Sequence, residues 1–325
     1  MRYHHIYFHK TFCFIEEISD LNFAPSPSGG DVACNYKKNL TLKGICALYD
    51  TETELMESHI FPKFVIKHTK KTGSTYLRRV VEPNRREQDG LKLHLLSFEA
   101  EQEFSLREKW FAENIFVPYL DGKLELDYDG NLYYFAISFL WRILVTEMKK
   151  DGNLKDQWYF EELKKVEIEW KDFLKNGKIP NKYHNVNLFL TDRVKSNTTD
   201  LKGVDFYITR ALDGTIVDNQ NHTFVIMYGK FNRFVFWSVI KSPDYSDELY
   251  DLEIHPKKGT FEIPQSLDYA PIISFISNRI KEIEKYPLPN QAQQDKIEQE
   301  IKKNPKFWES DLGKSLYNDK FNLEK

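Results

Sequence analysis

The chain has 325 residues, with 46 Lys and Arg against 49 Asp and Glu and a formal net charge of −3. A hydrophobic fraction of 41% and an aromatic fraction of 15% exclude a disordered chain and imply a packed core, large enough for one or two domains. Three cysteines (Cys13, Cys34 and Cys46) without a signal-peptide pattern argue against a disulfide framework and for a reducing cytoplasm.

Residues 1–42 read as an N-terminal arm and linker, ending in the turn-rich run Ala24-Pro-Ser-Pro-Ser-Gly-Gly30. His5 and His9 in this arm have metal-compatible i, i+4 spacing with His4 beside them, but no Cys, Asp or Glu lies near to complete a site. Residues 43–120 form the next unit. Within it, 44–62 read as a hairpin-like knuckle, Phe64–Ile66 as the start of a helix or strand, and Val80–Gly90 as a polar loop. Ser97 suits an N-cap, and a helix with Ala100, Phe104, Phe111 and Ile115 on one face and Trp110 flanking it is predicted up to Pro118.

The segment 121–180 is predicted helical, as a pair. The first helix, about 133–150, is almost wholly apolar but carries Arg142 near its middle. At about 17 apolar residues it falls short of the roughly 20 that a bilayer requires, so it is read as a core helix, with no membrane association. Gly152 is placed after its end as a left-handed cap, and a second helix spans about 154–175. In 181–286, strands are predicted at Val186–Leu190, Asp205–Ala211, Thr215–Val217, Thr223–Tyr228 and Arg233–Ile240. Gly229–Asn232 reads as a hairpin turn, and a helix opens near Asp268 and Pro271. Residues 287–325 form a peripheral helical tail. The fold class is therefore α+β: a knuckle–helix unit, a central helical pair, and a C-terminal antiparallel sheet with flanking helices.

Two pairs at C-x-x-C spacing, Cys46/Tyr49 and Ser97/Ala100, flank Glu57-Ser58-His59-Ile60-Phe61-Pro62 and a basic stretch that ends in Gln88-Asp89-Gly90 and Leu95-Leu96. This layout resembles a family of uncharacterised bacterial proteins related to HNH endonucleases, over about a third of the chain. The family pattern is C-x-x-C, S-H-I-x-P, a basic loop, then C-x-x-C-E before a helix; Phe139-Leu140-Trp141-Arg142 also fits it. Three of the four zinc positions hold Tyr, Ser and Ala, which do not ligate zinc, so this is a degenerate member and no zinc is expected.

The resemblance implies that His59 stands where the general base of such a nuclease would be, with Glu101 matching the acidic residue after the second knuckle. Ser58 occupies a position that would otherwise supply a metal ligand. Glu57, which alternation places on the same side of a strand as His59, and Glu108 or Asn114 on the helix are the available oxygen donors. No cofactor is expected unless the protein cuts, in which case Mg²⁺ or Mn²⁺ would be needed. The other reading of Ser58-His59 is an inherited structural hydrogen-bonding pair.

Residues 63–94 hold nine basic residues against Glu82, Glu87 and Asp89, a local excess of six in a chain that is otherwise acidic. Lys70, Lys71, Arg78, Arg79, Arg85, Arg86 and Lys92 are the expected phosphate contacts. Phe231, Phe234, Phe236 and Trp237 suggest either core or a base-stacking platform. Three functions follow. The first is a cytoplasmic HNH-like protein that associates with DNA or RNA without cutting efficiently, in a setting such as phage or mobile-element defence. The second is an active metal-dependent endonuclease with His59 as base. The third is a non-catalytic module for a partner protein, its basic loop docked on an acidic surface of its own chain or of the partner. Nothing in the sequence sets the oligomeric state.

Overall fold

A computed structural model describes Phe12–Cys13, 42–150, 152–243 and 252–323. The histidines of the arm, the Ala24–Gly30 run and Cys34 lie outside the described residues. In chain order the elements are β1 (Phe12–Cys13), β2 (Leu42–Ile45), β3 (Glu52–His59), α1 (Lys63–Lys71), β4 (Lys92–Leu96), α2 (Phe98–Phe111), α3 (Val117–Leu120), β5 (Glu125–Asp129) and α4 (Gly130–Lys149). They continue with α5 (Phe160–Asn176), β6 (Asn187–Leu190), α6 (Val204–Arg210), β7 (Leu212–Asp218), β8 (Val225–Phe231), β9 (Phe234–Lys241), β10 (Lys258–Glu262), α7 (Ala270–Ile283), α8 (Gln291–Lys303) and α9 (Asp311–Tyr317).

The main sheet is antiparallel, in the order β1-β7-β8-β9-β6. Every residue of β7 and β8 is buried, because helices cover both faces. On one face lies α4, the apolar helix predicted from the sequence. It approaches so closely that a Cβ on Gly229 would stand 2.6 Å from the Phe139 ring, and one on Gly214 would stand 2.8 Å from Ile143. On the other face α7 sets Phe275 against Tyr228, with ring centroids 4.6 Å apart. The helices α2 and α5 pack on α4 in turn, through Phe104–Trp141 and Tyr133–Phe173. A smaller sheet, β2-β3-β4, rests on α2, and β5 pairs with β10. The main apolar cluster runs from Cys46 to Phe261, and smaller ones lie under α7, around Tyr228 and Phe275, and at Tyr207 and Ile280. Among the described residues no helix is long and apolar enough to cross a membrane.

Five sequence expectations are corrected. Asp205–Ala211 is mostly the helix α6, although Val204-Asp-Phe-Tyr-Ile-Thr209 is rich in strand formers; the Asp319 carboxylate accepts from the Asp205 and Phe206 N–H groups and caps that helix from afar, so tertiary context overrides propensity. Gly229 lies within β8 rather than in a turn, for the packing reason given above, and the reversal is made by Asn232-Arg233, with Asn232 at φ +47°. Gly152 has extended backbone (φ −166°) and is no left-handed cap; α4 ends when Lys150 turns out of the helix. The helix from Ser97 passes Pro118, because a π-helical turn at Ala112–Phe116 restarts the hydrogen-bond ladder and puts the proline in the first turn of α3, where its missing N–H costs nothing. Finally, α5 begins at Phe160, after a 3₁₀ turn at Asn153–Asp156, so Trp158 lies ahead of it.

Candidate functional site

The knuckle turn closes against the N-terminus of α2. Cys46 is fully buried, and its Sγ accepts the Ser97 N–H at 3.2 Å. The Ser97 Oγ caps α2 by accepting from the Ala100 N–H at 3.3 Å. Ala47 donates to the Leu95 carbonyl, tying the turn to β4. Tyr49 sits half-buried beside it, and burial, followed by the charge of Glu103, pushes its phenol up. Hydrogen bonds and burial thus join the turn after β2 to the start of α2.

His59 ends β3, where it pairs with Lys92 of β4. Alternation along the strand buries Ser58 and sends Glu57 to the side of His59. Lys92 Nζ accordingly reaches both acidic neighbours there, Asp89 at 2.6 Å and Glu57 at 3.6 Å. His59 Nε2 meets Asp89 Oδ1 at 3.0 Å, and the Gly90 N–H donates to the same oxygen. Burial works against the Asp89 charge, but hydrogen bonds from Lys92 and His59 outweigh it and hold the carboxyl down at about 2. An ionised Asp89 accepts a hydrogen bond from Nε2–H, which leaves Nδ1 as the unprotonated nitrogen of a neutral ring whose side chain is 16% exposed. Ser58 makes no pair with His59; its Oγ has only the Met56 carbonyl, at 3.5 Å.

Beneath this dyad lies Arg142, 2% exposed. Its Nη1 donates to the His59 carbonyl at 2.8 Å and to Glu108 Oε1 at 2.7 Å, and its Nε donates to the Ser138 carbonyl. Phe104 lies against the guanidinium at 5.4 Å. Nη2 is buried with no hydrogen-bond partner among the described residues. Burial pushes the Glu108 carboxyl up; Arg142 opposes this, Glu101 adds to it, and His59 pulls it down, so four of these charges share one field. Arg142 therefore fixes the end of β3, and through it the position of His59.

The fold thus links His59 to Glu108 through Arg142 and sets Glu57 across Lys92 from Asp89, the partner of His59, while Glu101 reaches this group only through its charge on Glu108. Asp89 was visible only as part of Gln88-Asp89-Gly90, and the adjoining glycine turn before β4 was the signal that it returns to the end of β3. Glu57 faces Lys92 and Glu108 faces Arg142, so these carboxylates are matched to cations. Among the described residues no group of three or more His, Cys, Asp and Glu is arranged to hold a metal ion.

No family model, curated protein or solved structure matches this chain.

The basic stretch is mostly engaged within the molecule. Lys70 donates to the Gln88 carbonyl; Arg78 donates to the Pro83 carbonyl and to Gln293. Arg79 pairs with Glu87, Arg85 with Glu82 and Glu87, and Arg86 with Glu300. Of the seven expected phosphate contacts, Lys71 alone has no hydrogen-bond or ion-pair partner among the described residues and is exposed, and it continues a stripe with Lys63 and Lys67 on the solvent face of α1. These three stand at i, i+4 and i+8, in a helix that starts four residues after His59. Phe231, Phe234, Phe236 and Trp237 are all fully buried, so the base-stacking alternative is corrected to core.

Proposed function

We propose that this protein binds nucleic acid through the face made by α1 and the end of β3, as a degenerate HNH-like binding protein rather than an efficient metal nuclease. The observation that carries this reading is the lysine stripe Lys63, Lys67 and Lys71: three exposed cations on one line, with no acidic residue within α1, beside the His59–Asp89 pair. A helix face of this kind follows a phosphate backbone by charge, with no sequence code. The binding role is favoured over cutting because Glu57 and Glu108 each face a cation. Fluorescence polarisation with labelled DNA and RNA tests it. Lys63→Glu, Lys67→Glu and Lys71→Glu together weaken binding at least about tenfold and flatten the dependence of log Kd on log salt by about 3. No measurable affinity of the wild-type protein at low salt would remove the reading.

The His59–Asp89 dyad favours one second reading, slow phosphodiester hydrolysis with His59 as general base. In that case cleavage of a labelled duplex is detectable with Mg²⁺ or Mn²⁺ and is lost in His59→Ala.

A further inference from the structure

The helix α8 buries none of its residues. It follows Pro287-Leu288-Pro289 and is tied to the loop that carries Asp89 by polar contacts: Arg86 Nη2 to Glu300 at 2.7 Å, Arg78 Nη1 to Gln293 Oε1 at 3.2 Å, and the N–H of Asn290, the residue just ahead of the helix, to Asn84 Oδ1 at 2.7 Å. Arg86 lies over the Tyr76 ring at 4.7 Å, and Arg78 is close enough to feel the charges of both Arg86 and Glu300. Two neighbouring guanidiniums, one of them over an aromatic ring, repel each other unless an anion lies between them, and Glu300 places one oxygen on Arg86. The Arg86 Nε is buried with no hydrogen-bond partner among the described residues. A phosphodiester presents two oxygens in the plane of a guanidinium fork, and would satisfy Nε and Nη2 at once.

We propose that Arg78, Arg86 and Tyr76 form a second phosphate-binding site, and that α8 is a releasable internal competitor whose Glu300 occupies it. This rests on the nucleic-acid reading above and extends it: the site lies on the loop that follows α1, which Lys70 of α1 ties through the Gln88 carbonyl, and nucleic acid gains it only when α8 lifts. The observed affinity is then lowered by the fraction of molecules in which α8 is docked.

The experiment is polarisation of a fluorescein-labelled duplex with the full chain and three variants, each checked for an unchanged thermal transition. Glu300→Gln tightens binding by about two- to fivefold, the range expected when one partly exposed ion pair is removed from the closed state. It also steepens the salt dependence by about 1 to 2 phosphates as the two arginines join the interface. Glu298→Gln changes net charge identically but removes a carboxylate that pairs with Lys302 in α8 itself, so its affinity stays at the wild-type value. Adding Arg86→Gln to Glu300→Gln abolishes the gain. Equal tightening by Glu298→Gln, or no change in Glu300→Gln while the triple α1 variant still weakens binding, overturns the competitor and leaves the α1 face standing. Absence of binding in every protein, Glu300→Gln included, overturns both.

Discussion

The main sheet and the loop between α1 and β4 are held by different forces. Around α4 the contacts are rings: Phe111 stacks on Phe135 with centroids 4.0 Å apart, Phe116 on Phe234 at 5.0 Å, and Phe231 and Phe236 close the cluster. Each such side chain contributes about 1.5–3 kcal/mol by leaving water, and the cluster has no polar atom to satisfy. The loop is tied instead by partly exposed ion pairs, Arg79–Glu87, Arg86–Glu300 and Lys92–Asp89, worth about 0–1 kcal/mol each. Most of the stability therefore resides in the sheet half, while the loop is held by weaker, partly exposed pairs. Arg142 stands on the border, rooted in α4 and bonded to the carbonyl of His59.

The comparison breaks first at its strongest point. Phe111→Ala removes a fully buried ring that meets Phe135, Phe64 and Phe234, and a cost of about 3–5 kcal/mol is expected. Urea denaturation measures it as a lower midpoint at constant slope. A loss under about 1.5 kcal/mol would mean that the ring cluster is no firmer than the loop.

The border comes next. Arg142→Ala leaves the Glu108 carboxylate largely buried without its cation, at a cost of about 3 kcal/mol. Replacing both partners, as Arg142→Met with Glu108→Leu, restores most of this, because two apolar groups then fill the space and no charge is stranded. If the double variant is as unstable as the single one, the loss comes from the unsupported end of β3 rather than from the stranded charge.

The same division governs what could be read from the sequence. The α4 helix, the β8–β9 pairing, the α2 stripe and the α7 helix were legible because period and apolarity are local signals. Alternation also placed Glu57 with His59 correctly. The α6 helix was not legible, since its cap is Asp319, more than a hundred residues away. Nor was the fate of the basic stretch: composition shows an excess of six charges but cannot show that Arg86 finds Glu300 or that Arg79 finds Glu87. Arg142 was readable as a buried charge in need of a carboxylate, whereas the choice of Glu108 depends on how α2 crosses α4. Local pattern gives the elements; the partners of charged groups are decided by packing between distant segments.

The smallest effect expected is at Asp89, and it sharpens the comparison through pH. Its carboxyl is held at about 2 in the folded protein, against an ordinary value of 3.8. A depressed carboxylate contributes stability that is fully present above its unfolded value and is lost as pH falls through the folded one, so the window runs from about 4 down to 2. The side chain is 38% exposed, and solvent screening limits the contribution to about 1 kcal/mol or less. Asp89→Asn should therefore lower stability by no more than about 1 kcal/mol at neutral pH. Near pH 3 the gap between the two proteins should be smaller than at pH 6, because part of the Asp89 contribution is lost there, and it should close below about pH 2. Urea titrations at pH 6 and near pH 3 measure both values. A loss of several kcal/mol at pH 6 would place the His59–Asp89–Lys92 group among the supports of the fold, and the separation between a sheet that carries most of the stability and a loop held by weaker pairs would fail.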